Sequence, residues 1–259
     1  MPSKKTKRSD APLGIIGGSG LARLAQLEAA RRQAVTTPYG KPSCALTAGT
    51  MAGCKVIFLA RHGDRHAIPP HAINYRANIW ALRARGVRNI AAIFTVGGIR
   101  ADLGPGALAV PDQIIDYTHG RQSTYFDQGR DGVTHVDFTH PYCAAMRQRL
   151  LEAARAVNEG VVDGGTYAAT QGPRLETAAE IGRLERDGAD MVGMTGMPEA
   201  GLAREAGLCY AAIAVVVNSA AGRGASARGI NLTDIESVAR HAMERVHRVL
   251  GQLVKLDGD

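Results

Sequence analysis

Several short stretches of the sequence gather residue types that handle anions or read a polar ring. Gly17-Gly18-Ser19-Gly20 follows the apolar run Leu13–Ile16. Glycines there let backbone N–H groups approach an anion, and the serine hydroxyl adds a donor. A structural turn is the other reading. The stretch is not a dinucleotide fingerprint, because Gly18-Ser19-Gly20-Leu21-Ala22-Arg23 lacks the third glycine. Nor is it a nucleophile elbow, because Leu21 stands where the last glycine belongs. Arg61-His62-Gly63-Asp64-Arg65-His66 closes a second apolar run. Arginine pairs bidentately with phosphate, and histidine can add a second donor. Zinc on His62, His66 and His71 competes, opposed by the cationic neighbours; a solvated loop is the third possibility.

Thr95-Val96-Gly97-Gly98 and Met194-Thr195-Gly196-Met197-Pro198-Glu199 repeat the pattern of a hydroxyl beside glycine. With Ser19 and the Arg61-His62 pair they make an oxyanion pocket together, though none would do so alone. Two further places could read a substrate. Gln171-Gly-Pro-Arg-Leu-Glu176 sets a carboxylate at a loop-to-helix transition, and Val215-Val-Val-Asn218 ends an apolar strand with an amide. Asn218 capping a turn is the alternative.

These groups need a scaffold. Strands are expected at Leu13–Ile16, Lys55–Ala60, Ile90–Val96, Gly165–Thr170, Asp190–Met194 and Tyr210–Asn218. Helical patterns lie between them. Asn74 to Arg85 places Ile79, Trp80 and Leu82 on one side, and Pro141 to Val157 opens with proline, which suits a first helical turn. Thr177-Ala-Ala-Glu180 and Thr233-Asp-Ile-Glu236 match the capping box, the second opening a long final helix. With no repeat and no internal linker, the expectation is one α/β domain, residues 13–259, with a central, mostly mixed sheet flanked by helices. The strand ends that carry the polar groups are where open α/β sheets bind ligands.

Composition narrows the class. Glycine supplies 31 of 259 residues while aromatics are 5%, as suits many tight strand-to-loop junctions. The net charge of +7 points first to an acidic partner, but Lys4, Lys5, Lys7 and Arg8 against Asp10 place +3 of it in residues 1–12. That segment reads as a disordered, solvated tail and not as a nucleic-acid arm, and it lacks the apolar stretch of a signal peptide. The cysteines are Cys44, Cys54, Cys143 and Cys209, with no CxxC pair to suggest zinc or a redox dithiol. Cys44, Cys54 and Cys209 lie in apolar runs and read as buried thiols of a cytoplasmic protein. The longest apolar run, Ala211 to Val217, is too short to span a bilayer.

Taken in order, Gly14-Ile-Ile-Gly-Gly-Ser-Gly-Leu21, Leu59-Ala-Arg-His-Gly63, Asn74-Tyr-Arg-Ala-Asn-Ile-Trp-Ala-Leu82, Gln171-Gly-Pro-Arg174, Met194-Thr-Gly-Met-Pro-Glu199 and the Val217-Asn218 strand end resemble the methylthioadenosine and purine nucleoside phosphorylases over about residues 13 to 250. The resemblance implies a homotrimer with inorganic phosphate as co-substrate, no metal and no organic cofactor, and neither a nucleic-acid nor a membrane partner. It assigns Ser19, Arg61, His62, Thr95 and Thr195 to phosphate and the Met194 backbone to the ribose hydroxyls. It places Glu176 and the strand end Asn218, Ser219 and Ala220 at the purine. Ile230, Leu232 and Ile235 fall at the 5′ end of the nucleoside, where His135 would reach a neighbouring subunit's site. Among these, His62, Glu176 and Asn218 are the expected catalytic groups.

One departure is informative. Adenine-specific members of the methylthioadenosine branch carry an acidic residue where this chain has Asn218, a second one where it has Ala220, and a small hydroxyl residue where it has Glu176. The Glu–Asn pair instead resembles phosphorylases of inosine and guanosine. A carboxylate only accepts, so Glu176 suits the N1–H of a 6-oxopurine and opposes the N1 lone pair of adenine. A 6-oxopurine pocket inside a methylthio-type chain predicts phosphorolysis of S-methyl-5′-thioinosine. The alternatives are S-methyl-5′-thioadenosine or inosine and guanosine as substrates, a nucleosidase using water, and a nucleotide-binding regulator.

Overall fold

In the computed structural model, which describes residues 11–21, 24, 26–127 and 133–258, helices pack around one extended mixed sheet. The strands are β1 (Leu13–Gly17), β2 (Glu28–Gln33), β3 (Leu46–Met51), β4 (Cys54–Ala60), β5 (Asn89–Gly98), β6 (Leu108–Val110), β7 (Gln113–Asp116), β8 (Val162–Asp163), β9 (Thr166–Ala169), β10 (Met191–Gly193) and β11 (Cys209–Ser219). The helices are α1 (Tyr75–Ala84), α2 (Ala144–Ala156), α3 (Ala178–Arg186), α4 (Gly196–Glu205) and α5 (Leu232–Gly258). All six expected strands are present, and five more join them. The tail at residues 1–10 lies outside the described residues.

The sheet runs β2-β3-β4-β1-β5-β10-β9-β7, and β11 pairs with both β5 and β6. β5 is the hub. Its first half pairs in parallel with β1 through Ile90–Ala92, and its last two residues pair with β10 through Gly97 and Gly98. Along the opposite edge β11 follows it for almost its whole length. Residues 93–96 therefore face a split where β1 has left and β10 has not yet arrived. β11 shifts register between Val216 and Asn218, which leaves Val217 unpaired and re-aims the end of the strand. Three site-bearing strand ends converge on this split. β1 and β4 run parallel, so Gly17 and Ala60 lie side by side, and the Arg61 N–H donates to the Gly17 carbonyl at 2.9 Å.

Two apolar clusters fill the faces. One joins α2 and α5 through Met146, Leu150, Met243, Val246, Leu250 and Leu253 to Ile15, Ile93 and Ile213. The other joins α1 and α4 through Ile79, Leu82, Leu202 and Ala203 to Ile16, Phe94 and Val216. β1, β5 and β11 contribute to both clusters, so their near-continuous apolar sequence reflects burial on two faces.

Local expectations need four corrections. The helix expected from Pro141 begins at Ala144 with Cys143 as its N-cap, so the proline lies outside it. Trp80 is only half-buried, while Ile79 and Leu82 are in the core. The capping box at Thr177–Glu180 forms reciprocally, but Thr233 sits inside the first turn of α5 and its N–H bonds the Asn231 side chain. The reading of Cys209 as a buried thiol is overturned: Cys143 and Cys209 are disulfide-bonded, joining the start of α2 to the start of β11. Cys44 and Cys54 are the free thiols, each half-buried.

Candidate active site

A cavity of about 570 Å³ opens at the sheet split. Gly18, Ser19 and Gly20 line it from the β1 loop, Arg61, His62 and His66 from the β4 end, and Thr95 and Gly97 from β5. Met194 and Thr195 enter after β10, Glu176 from the loop before α3, and Asn218 and Ala220 from the end of β11. Ile230, Ile235, Glu236, Ala239 and Arg240 close the side toward α5. The walls mix polar and apolar groups, which suits an amphipathic ligand of modest size.

The glycine-loop side is built on close backbone approach. A Cβ on Gly18 would stand 2.6 Å from the Ile93 carbonyl and 2.9 Å from Arg61 Nη1, so only glycine lets this loop lie on the sheet split. Ser19 Oγ lies 2.9 Å from His66 Nε2. Thr195 is the N-cap of α4, its hydroxyl makes no capping bond, and the residue lines the cavity beside the helix start. The Thr195 and Gly196 N–H groups are held by the buried Tyr167 hydroxyl at 3.1 and 3.3 Å.

Arg61 and His62 differ from expectation. Arg61 is fully buried, and its Nε and Nη2 donate to the two oxygens of Glu199 at 2.7 and 2.8 Å. Nη1 donates to the Ile93 carbonyl, exposed by the split, at 2.9 Å. The fork expected to hold phosphate is therefore occupied by a carboxylate. Burial alone would depress the Arg61 pKa, but the Glu199 charge outweighs it and keeps the guanidinium firmly protonated. His62 Nδ1 lies 2.8 Å from the Ile68 carbonyl, which can only accept, so Nδ1 carries a proton. Burial, and then Arg61 and His66, push the His62 pKa down to about 4 against the opposing pull of that carbonyl. The ring is neutral, and Nε2 offers a lone pair: His62 accepts where a donor had been expected.

Near α3, Thr170 Oγ1 donates to Glu176 Oε1 at 2.7 Å, which fixes the carboxylate through one of its two oxygens. Asn218 Nδ2 donates to the Ser219 carbonyl at 2.6 Å. That bond orients the amide, presenting Oδ1 and one remaining N–H. Ala220 is buried against the cavity wall. Ser219 does not line the cavity; its Oγ is turned toward Gly224.

The 5′ candidates divide. Ile230 and Ile235 line the cavity, whereas Leu232 is 65% exposed and does not. His135 is exposed and outside this chain's cavity. Met194, whose backbone was expected at the ribose, lines the cavity, and its carbonyl accepts from Arg121 Nη1 at 2.8 Å.

Arg121 and Glu199 received no role from the sequence. Arg121 also donates to the carbonyls of Met197 (2.6 Å), Thr170 (3.2 Å) and Gln171 (2.9 Å), tying the loop before Glu176 to the loop around Thr195. Its segment, Thr118-His-Gly-Arg121, has neither periodicity nor a strand-end pattern to mark it. Glu199 sits inside a quoted motif, but nothing local says that its partner lies 138 residues away. Among the described residues, no group of three His, Cys, Asp or Glu side chains gathers as a metal site would need. No helix there is long and apolar enough to cross a membrane.

One cavity thus gathers the glycine loop and the strand-end hydroxyls with a carboxylate and an amide. The chain belongs to the phosphorylase superfamily, whose model matches residues 12–255, and it is a purine nucleoside phosphorylase-type enzyme. It is 50% identical to the probable S-methyl-5′-thioinosine phosphorylase of Xanthomonas campestris over 94% of this chain and 97% of that one. It is also 50% identical to the S-methyl-5′-thioadenosine phosphorylase of Mycolicibacterium smegmatis, over 81% and 78%. The methylthioadenosine phosphorylase of Schistosoma mansoni in complex with adenine superposes with a TM-score of 0.88 at 34% identity, covering 95% of this chain and 91% of that one.

Proposed function

We propose that the chain phosphorolyses S-methyl-5′-thioinosine to hypoxanthine and 5-methylthioribose 1-phosphate, a step of purine salvage. The observation that supports this reading is that Glu176 and Asn218 line the same cavity as the glycine loop, Thr95 and Thr195. Glu176 accepts from the purine N1–H, and the free Asn218 N–H serves O6 or its Oδ1 accepts from N7–H of the leaving base.

Ser19, Thr95, Thr195 and the Gly18–Ser19 backbone donate to the bare oxygens of phosphate. His62 Nε2 takes the P–OH, so the protonated oxygen is turned to the one acceptor. A bare oxygen then attacks C1′ as the glycosidic bond breaks and its electron pair enters the purine. The atoms balance when the phosphate's proton ends on hypoxanthine. Positive charge on the opening sugar is stabilised by the adjacent anion, and the fixed geometry supplies much of the remainder. Ile230 and Ile235 receive the methylthio group. No metal or organic cofactor takes part in this scheme. The active form is read as a cytoplasmic homotrimer on the strength of the family resemblance, with the exposed His135 segment at a subunit contact.

The test is kcat/KM for methylthioinosine, methylthioadenosine, inosine and guanosine at saturating phosphate. Methylthioinosine should lead, inosine should follow by tens to hundreds of fold, and methylthioadenosine should be poorest. Equal use of methylthioadenosine and methylthioinosine would transfer the assignment to the adenine-type activity.

A further inference from the structure

The deepest charges of this site lie under the glycine loop and cancel. Arg61 and Glu199 both have side-chain exposure of 0%, and they meet through two parallel hydrogen bonds. The Tyr210 hydroxyl donates to Glu199 Oε1 at 2.7 Å, so the carboxylate is itself held from behind by β11. Arg61 Nη1 lies directly beneath Gly18. The cation that the sequence offers to phosphate thus arrives already neutralised, by a partner equally shielded from water.

We propose that Glu199 sets the charge of the anion site, turning Arg61 from an uncompensated cation into a neutral donor frame, so that phosphate and the sugar 1-phosphate product are held by hydrogen bonds and released readily. The inference rests on reading the cavity as a phosphate site. A buried, uncompensated arginine beside a dianion would bind it strongly, because low local dielectric magnifies the attraction. Such a site would favour the product too, since it carries the same charge. Stability alone does not call for the pair, because replacing both members of a buried ion pair by apolar groups is often neutral or stabilising. Glu199 is a positioning residue, acting on the ligand through Arg61.

The experiment is the KM for inorganic phosphate in Glu199→Gln, with inhibition by inorganic sulfate as a second readout. Even at a water-like dielectric, uncovering one positive charge several ångströms from a dianion is worth roughly tenfold in affinity. Phosphate KM should fall by about that factor or more, sulfate should inhibit correspondingly better, and kcat should drop if product release becomes slow. A merely structural Glu199 gives the opposite sign, because a loosened Arg61 would raise the phosphate KM; that result overturns the proposal. If Glu199→Gln does not fold, Arg61→Met/Glu199→Leu removes both charges together and replaces the pair with apolar groups, which proteins often tolerate. A phosphate KM within about thirtyfold of wild type, the scale of lost hydrogen bonds, then supports the proposal, and a larger rise overturns it. Ser19→Ala separates this inference from the reading beneath it. If Ser19→Ala leaves the phosphate KM unmoved, the phosphate site itself is wrongly placed. If it raises that KM while Glu199→Gln also raises it, only the charge argument fails.

Discussion

Asn218→Asp probes base recognition at a point where two effects can be separated. The amide nitrogen donates to the Ser219 carbonyl at 2.6 Å. An aspartate puts an oxygen against that half-buried carbonyl, losing the bond and adding repulsion, which costs about 1–3 kcal/mol of stability in free enzyme and complex alike. It also removes the only N–H that Asn218 can offer to a purine O6, a second cost of similar size for a 6-oxopurine. Only the second cost enters kcat/KM; with each 1.4 kcal/mol worth tenfold, kcat/KM on methylthioinosine should fall by about 10–10². For an adenine nucleoside the carboxylate instead gains the 6-amino donor. Methylthioadenosine should therefore change little or rise by up to about tenfold, because Glu176, fixed by Thr170, still faces the N1 lone pair. The assay is steady-state kcat/KM for both nucleosides at saturating phosphate, with a thermal melt to confirm folding. If both substrates lose activity by the same factor, Asn218 only holds the strand end, and the base-reading argument fails.

Other consequences follow from the same geometry. Arg121→Ala should free four loop carbonyls at once; we expect about 2–4 kcal/mol lost in chemical denaturation and a larger fall in kcat/KM for nucleoside than in phosphate KM. His62 has a folded pKa of about 4 against an ordinary 6.5, so below pH 6.5 the unfolded chain binds a proton that the native chain refuses. Stability should fall as pH drops from about 6.5 to 4, by about 3 kcal/mol at most, and His62→Gln should flatten that part of the pH–stability curve; an unchanged slope would refute the neutral ring. Thiol titration of the unreduced, denatured protein should find only Cys44 and Cys54 reactive, and reduction should lower stability by up to about 4 kcal/mol for a loop this long. Four reactive thiols would refute the Cys143–Cys209 bond.

What could be read in advance tracks burial. β1, β4, β5 and β11 were legible because two-sided burial writes a continuous apolar run. β2 was not, because Glu-Ala-Ala-Arg-Arg-Gln is almost wholly exposed and carries helix-favouring residues; only its pairing with β3 makes it a strand. β6, β7 and β8 are two to four residues long, too short for any period to register. At the site, strand-end chemistry located the Ser19, Thr95, Thr195 and Asn218 regions, since glycine and hydroxyl clusters are local signals. The direction of individual hydrogen bonds was not local. Glu199 claims Arg61 from across the sheet, Ile68 sets the His62 tautomer, and Arg121 acts on four backbone carbonyls that no side-chain pattern reveals. The Cys143–Cys209 bond was missed for the same reason, its partners being 66 residues apart and brought together only by α2 packing beside β11.

The requirement for phosphate tests the central claim most directly. Methylthioinosine should be incubated with the enzyme in phosphate-free buffer and again with phosphate added, following hypoxanthine and the sugar product together. The account predicts no turnover without phosphate, and with it one 5-methylthioribose 1-phosphate for each hypoxanthine released. Hypoxanthine formed at the same rate in both buffers, with free 5-methylthioribose as the sugar, would mean that water is the nucleophile and would contradict the anion site described here.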